Sequence, residues 1–497
     1  MRSTSILMVA PLSVALLAAC GGGGGNSDGR TPAPPARGTL LQSAPQLLAT
    51  VTSPDLLVQL NASANQTLAS LGVAPICDVL IYSIEYETVG GADEATTASA
   101  ALMVPTGLGS RCTGKRPIVL YAHGTTTDRA FTMTNLQNAE TIALAVLFAS
   151  QGDIVVAPNY AGYDTSTLPY HPYLVADQQS KDMIDGLTAA RSALPLASLT
   201  LTRDNGQLFI TGYSQGGYVA MATHRAMQSA GLTVTASAPM SGPYALAAFV
   251  DAVFNGEVDG GATVSSALLL TAYQHAYGTI YADPSTVFEP AYAAGIDALL
   301  PSAIPRSALY AEGKLPEYAL FSATPPSAAY AAITPATSPA NLAFVFALGF
   351  GPGNLIQNSY RLAYLEDPVT NPQLPWRVAL KANDLRNWVP TAPVLLCGGD
   401  ADPVVFWMNA QLMDAYWTAQ APAESSIGIL DLESGVVAGD PYGNLKTGFV
   451  VAKDLVIAAA VAQGATDGGA AAQAEVYHTG LVAPFCFAAA RSFFANY

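Results

Sequence analysis

Short apolar runs and longer amphipathic runs take turns along most of this chain. Val79 to Val89 alternates apolar with polar positions, and after Gly90-Gly91-Ala92-Asp93 the extended pattern resumes from Ala98 to Val104. Together they predict an antiparallel opening hairpin. Pro117-Ile118-Val119-Leu120-Tyr121-Ala122 is apolar throughout, which predicts a strand covered on both faces, ending at His123-Gly124. A helix is expected over Asn135–Ser150, a strand over Asp153–Ala157, a helix over Asp177–Leu194 and a strand over Gln207–Thr211. A further helix over Gln215–Ala230 and a strand over Thr233–Met240 follow. The same rhythm returns at Pro393–Cys397, with a last strand expected at Ala474–Tyr477. Strands alternating with helices mark the α/β class and a mostly parallel sheet flanked by helices.

From Ser241 to Ala392 the rhythm breaks into helical patterns rich in Ala, Leu and Tyr, separated by Pro and Gly turns. A separate second domain would fit that composition. A cap inserted between two core strands fits better, because the next core strand follows at once. The core therefore reads as 41–243 and 392–497, interrupted by a helical cap over 244–391. Tyr273, Tyr277, Tyr281 and Tyr292 read as packing residues of the cap helices, with some free to line an acyl or aryl pocket. No internal repeat is visible.

The first residues have a different logic. A positive start at Met1-Arg2, an apolar run from Ile6 to Ala19 and the small residues Leu17-Ala18-Ala19 before Cys20 make 1–19 a secretory signal. Leu-Ala-Ala-Cys resembles the lipobox of bacterial lipoproteins. That resemblance implies cleavage before Cys20 and acylation there, and two or more acyl chains anchor a protein stably to a membrane. Gly21 follows the cysteine with no Asp beside it, which by resemblance to lipoprotein sorting implies the outer membrane. Residues 20–40, Gly-rich then Pro-rich, read as a flexible tether. Past the signal no apolar run approaches the roughly 18 residues that a spanning helix needs.

Charge removes one class of partner. The chain carries 20 basic and 36 acidic residues, a formal charge of −16, which disfavours nucleic acid. Of the five cysteines, Cys20 is assigned to lipid. Cys77, Cys112, Cys397 and Cys486 remain, an even number in an exported chain, which suggests two disulfides. Three pairings are possible; Cys77–Cys112 across the first strands and Cys397–Cys486 beside the site are favoured. No Cys/His cluster has metal-ligand spacing, and no cofactor is implied.

Gly212-Tyr213-Ser214-Gln215-Gly216 matches G-x-S-x-G, in which a serine sits on a tight strand-to-helix turn between residues that must be tiny. Gly25-Asn26-Ser27-Asp28-Gly29 matches too, but without a strand before it or a helix after it. Context selects Ser214 as nucleophile. A serine needs a base, usually histidine, held by a carboxylate, in the chain order Ser, acid, His. His123 and His171 precede the serine, His224 lies on the following helix and His275 in the cap. His478 remains. Asp400 and Asp402, after the strand at Cys397, compete for the acid. The oxyanion donors are expected to be the backbone N–H groups of Gln215 and, from the loop His123-Gly124-Thr125, of Thr125, with Gly124 next and His123 orienting the loop.

The elbow, the His-Gly loop, the Asp402-Pro403-Val404-Val405 run and the late histidine together resemble the α/β-hydrolase superfamily, from about residue 75 to 497. Gly-Tyr-Ser-Gln-Gly-Gly, the position of the insert and the cysteine usage also resemble the secretory lipase, or lipase A-like, family. The resemblance implies that Asp402 is the acid, that Asp400 braces its loop, that a helical cap covers the site, and that the substrate is a small or lipid-like ester. A serine peptidase or amidase on the same fold, or a surface-binding lipoprotein with a lapsed site, shares these features. Oligomeric state is not legible.

Overall fold

The computed structural model describes residues 36–497, apart from 63–64 and 421–425. The signal at 1–19, Cys20, the second motif copy at Ser27 and most of the tether lie outside the described residues.

The chain builds a nine-stranded sheet: β1 (Gln46–Val51), β2 (Asp78–Val89), β3 (Ala95–Thr106), β4 (Lys115–Ala122), β5 (Ile154–Pro158), β6 (Arg203–Tyr213), β7 (Ala236–Met240), β8 (Val394–Gly398) and β9 (Ile427–Asp431). Their order is β1-β2-β3-β5-β4-β6-β7-β8-β9. The first three and β5 pair antiparallel; β5, β4, β6, β7, β8 and β9 pair parallel. The expected α/β architecture and opening hairpin are present, the hairpin in unbroken register from Asp78↔Thr106 to Val89↔Ala95.

Period-2 burial explains the layers. On β4, Ile118, Leu120 and Ala122 join one core face while Val119 and Tyr121 join the other. The first face is continuous with Leu246, Val250, Leu268 and Trp376 of the segment between β7 and β8. That segment holds helices, among them Leu246–Phe254, Ala262–Tyr277 and Pro375–Ala382, and no strand among the described residues. The second face is covered by the helices Ala139–Leu147 and Ala483–Phe494.

Four expectations need correction. The strand expected at Ala474–Tyr477 is the end of a helix (Ala470–Val476) running into a π-helical turn, Tyr477–Val482. The edge strands β1 and β9 were not anticipated. The helix expected over 135–150 is shorter, Ala139–Leu147, because the Asn138 side chain accepts the Glu140 N–H at 2.9 Å and caps it there. Finally, 36–40 already belongs to the body: Arg37 pairs with Asp185 at 2.9 Å, and the Gly38 N–H donates to the Glu87 carbonyl at 2.8 Å. The disulfides are Cys77–Cys112 and Cys397–Cys486.

Candidate active site

Strands β4, β6 and β8 deliver their following loops to the same edge of the sheet, outside the carboxyl ends of the parallel strands. In open α/β sheets this is where ligands bind. β6 ends at Tyr213, and Ser214 turns at φ +60°, ψ −122° into the helix Gln215–Ser229. A non-glycine residue held there costs on the order of 1–3 kcal/mol. The glycines show why the motif has its spacing. A Cβ on Gly212 would lie 2.2 Å from the Gly216 carbonyl oxygen, one on Gly216 would lie 1.9 Å from that of Ala122, and one on Gly217 would lie 2.3 Å from that of Met240. Any side chain at these positions would push the turn off the sheet.

The strand β8 leads through Gly398-Gly399 to the second element. Asp402 is fully buried. Its Oδ1 accepts the Val404 and Val405 N–H groups at 2.9 and 3.1 Å. Its Oδ2 lies 2.7 Å from His478 Nδ1. Asp400 stands apart: it is exposed, and its backbone N–H donates to Asp431 Oδ1 at 3.1 Å. Geometry therefore brings Asp402, not Asp400, to the imidazole.

His478 sits in the π-helical turn, a feature frequent at functional sites. The Tyr213 hydroxyl, one residue before the serine, donates to the His478 carbonyl oxygen and pins that turn. Cys397 at the end of β8 is bonded to Cys486 in the helix after the turn, so a covalent link ties the acid-bearing segment to the imidazole-bearing one. His478 Nε2 has no hydrogen-bond partner among the described residues. It and Ser214 line the same cavity without a direct bond. In unliganded sites of this kind such bonds are often long.

That cavity, of about 340 Å³, is lined by Ser214, Gln215, Thr125 and His478 on the sheet side. Leu246, Val250, Val253, Phe254, Leu269 and Trp376 form its apolar wall on the other. None of Tyr273, Tyr277, Tyr281 and Tyr292 lines it; Tyr273, for example, is buried with its hydroxyl on the Leu174 carbonyl. The N–H groups of Gln215 and Thr125 are engaged by no other group among the described residues. The Gly124 N–H, the second-choice donor, is already taken, 3.1–3.2 Å from the Glu140 carboxylate.

The other histidines are structural. His123 Nδ1 lies 2.7 Å from the Gly124 carbonyl oxygen, and burial pushes its pKa down to about 4. His171 Nε2 lies 2.7 Å from Gln215 Nε2, and burial pushes it to about 3. His224 packs in the interior with Nδ1 2.8 Å from Ser237 Oγ. His275 stacks on Tyr170 at 4.1 Å between ring centroids.

Three contributors escaped the sequence reading. Tyr213 was visible only as the variable position of the elbow. Glu140 lay unmarked inside the helix expected over Asn135–Ser150. Asp259, in the segment between β7 and β8, lines the cavity, and burial raises its carboxyl to about 7. No signal in the residues around Asp259 marks it out. Among the described residues no group of His, Cys, Asp and Glu could hold a metal ion.

No family model matches the chain, and no curated protein sequence matches it. Solved structures do. A ligand-bound form of the rice cell wall degrading esterase LipA from Xanthomonas oryzae is 26% identical, over 92% of this chain and 98% of that one, with a TM-score of 0.68. A Legionella pneumophila protein is 19% identical over 79% of this chain and 91% of its own, with a TM-score of 0.60. Lipase A of Candida antarctica is 11% identical over 84% and 82%, with a TM-score of 0.50, a likeness of fold alone. The chain has the α/β-hydrolase fold.

Proposed function

We propose that this α/β-hydrolase is an exported serine carboxylesterase or lipase acting on apolar esters through Ser214, His478 and Asp402. The likeness to a solved esterase over nearly the whole of both chains supports ester hydrolysis. The observation that carries the mechanism is the buried Asp402, 2.7 Å from His478 Nδ1, beside a serine on a glycine-flanked turn in the same cavity.

Ser214 Oγ attacks the ester carbonyl carbon as His478 Nε2 takes the hydroxyl proton. Asp402 accepts from Nδ1–H, which leaves Nε2 free as the base and stabilises the imidazolium. The N–H groups of Gln215 and Thr125 receive the oxyanion. The carbon–oxygen bond to the alcohol breaks as Nε2 returns its proton to the leaving oxygen. Water, deprotonated by the same imidazole, then releases the acid and restores the serine. The apolar cap wall supports a hydrocarbon acyl or alkyl group.

The test is Ser214→Ala. Loss of such a nucleophile costs about a millionfold in turnover. The variant should lose both p-nitrophenyl ester hydrolysis and labelling by a fluorophosphonate. Retained wild-type turnover would remove Ser214 from the mechanism, and a wild-type chain that no fluorophosphonate labels would return the reading to a lapsed site.

Lipid anchoring at Cys20 belongs to the same proposal. The signal Leu17-Ala18-Ala19-Cys20 supports it, and two disulfides suit an oxidising compartment. Cys20→Ala should move the protein from the membrane to the soluble fraction; unchanged membrane association would reject the anchor.

A further inference from the structure

Glu140 is one of the carboxylates of the cavity wall that have no part in the triad. Glu140, in the first turn of the helix Ala139–Leu147, lines the cavity together with Gly124, Thr125, Ser214 and His478. Its Oε2 accepts the Tyr121 hydroxyl at 2.6 Å, and its two oxygens lie 3.1 and 3.2 Å from the Gly124 N–H. A Cβ on Gly124 would come within 2.8 Å of Oε1, so a side chain there would displace the Glu140 carboxylate.

The next peptide group carries the Gly124 carbonyl and the Thr125 N–H. A peptide is planar, so fixing its carbonyl fixes the direction of its N–H. His123 Nδ1 meets that carbonyl oxygen at 2.7 Å. The Thr125 hydroxyl shares a 2.9 Å hydrogen bond with the Tyr173 hydroxyl. Glu140 holds the remaining handle, the N–H on the other side of Gly124. One contact thus holds this peptide directly and two hold its flanks, while its own N–H is left unengaged among the described residues and borders the Ser214 cavity.

We propose that Glu140 is a positioning residue for transition-state stabilisation: by accepting the Gly124 N–H it anchors the peptide before Gly124 and, with the His123 contact on the Gly124 carbonyl, restricts the turn at Gly124 that aims the Thr125 N–H at the oxyanion. This rests on the serine-hydrolase reading above. Its signature is a loss in kcat with little change in KM, because an oxyanion exists only after attack.

Three variants separate reach from charge. Glu140→Gln keeps the length and one carbonyl acceptor. Glu140→Asp keeps the charge but withdraws the acceptor by about 1.5 Å, one carbon–carbon bond. Glu140→Ala removes both. Deleting an oxyanion donor outright costs about 10²–10³ in kcat, so misaiming one should cost about 10- to 100-fold in the Asp and Ala variants. Gln should stay within about threefold of wild type, and KM for a short p-nitrophenyl ester should move less than about threefold throughout. Thermal midpoints identify any variant that fails to fold, and the Gln–Asp comparison stands without Ala. Equal losses in Gln and Asp, a rise in KM alone, or wild-type kcat in Asp would each overturn the proposal. A wild-type chain inactive on every ester would instead reject the underlying reading.

Discussion

Replacing Asp402 by asparagine changes one atom and should almost abolish turnover. The carboxylate is fully buried, and all its neighbours are donors: the Val404 and Val405 N–H groups at 2.9 and 3.1 Å on Oδ1, and His478 Nδ1 at 2.7 Å from Oδ2. An amide offers one acceptor and one donor in their place. The two backbone N–H groups cannot turn away, so the amide oxygen stays with them and the amide NH₂ faces Nδ1. The imidazole must then accept at Nδ1 and carry its proton on Nε2, where it cannot take one from Ser214. A tautomer reversed in this way costs about 10⁴ in kcat in a serine hydrolase triad, about 5.4 kcal/mol at 1.36 kcal/mol per tenfold. Asp400→Asn is the control. Asp400 is exposed, its recorded bond uses its backbone N–H, and a surface change of this kind stays within about 0.5 kcal/mol. The assay is kcat/KM on p-nitrophenyl butyrate, with melting curves to establish that both variants fold. An Asp402→Asn enzyme within about tenfold of wild type, or an Asp400→Asn enzyme equally damaged, would refute the tautomer argument.

Three further outcomes follow from other parts of the site. Burial holds the Asp259 carboxyl at about 7, so this group of the cavity wall is neutral below that pH and negative above it. KM for an apolar ester should therefore rise as pH passes upward through about 7, and Asp259→Asn should flatten the dependence; a wild-type KM that is flat with pH would reject this. The Cys397–Cys486 bridge closes a loop of 89 residues in sequence separation, worth on the order of 3–5 kcal/mol. The double serine variant should unfold at a lower urea concentration, and an unchanged midpoint would show that other contacts suffice. Val250→Phe narrows the apolar wall and should lower kcat/KM for long acyl chains by about tenfold or more while sparing acetate; a uniform loss across chain lengths would point to misfolding instead.

Central strands were legible because burial on both faces leaves a dense apolar run, as at Ile118–Ala122. The missed strands are the two edges. β1 alternates exposed and half-buried positions and β9 has one fully buried residue, Leu430. An edge strand needs little hydrophobicity, and its signal fades into loop composition. The reverse error, at Ala474–Tyr477, came from extending the strand–helix rhythm to the C-terminal part. Here a helix and a π-turn present His478, and a four-residue window does not distinguish strand from helix. The tight turn at Ser214 was legible because its glycines answer to local collisions. His478, singled out by elimination among five histidines, lies beside Asp402. Glu140 and Asp259 were not reachable, because what sets them apart is a neighbour distant in sequence. Glu140 meets Tyr121 and Gly124 only once β4 and the helix after it have packed.

The contacts divide by side of the cavity. The turn at Ser214 is fixed by backbone collisions on β4, β6 and β7. Asp402 is fixed by two N–H groups of its own loop, and His478 by Tyr213 and by the disulfide. Every one of these supports belongs to the sheet, its carboxyl-end loops or the helices that follow those loops. The segment between β7 and β8 supplies the apolar wall and Asp259. Because it enters between those strands, its changes in length or packing fall between Ser214 and Asp402 in sequence, without separating Asp402 from His478. The 76 residues from Asp402 to His478 lie wholly after it, and the bridge from Cys397 to Cys486 encloses both. Such a division leaves the apolar wall open to variation while the arrangement of Asp402 and His478 stays under covalent and hydrogen-bonded constraint.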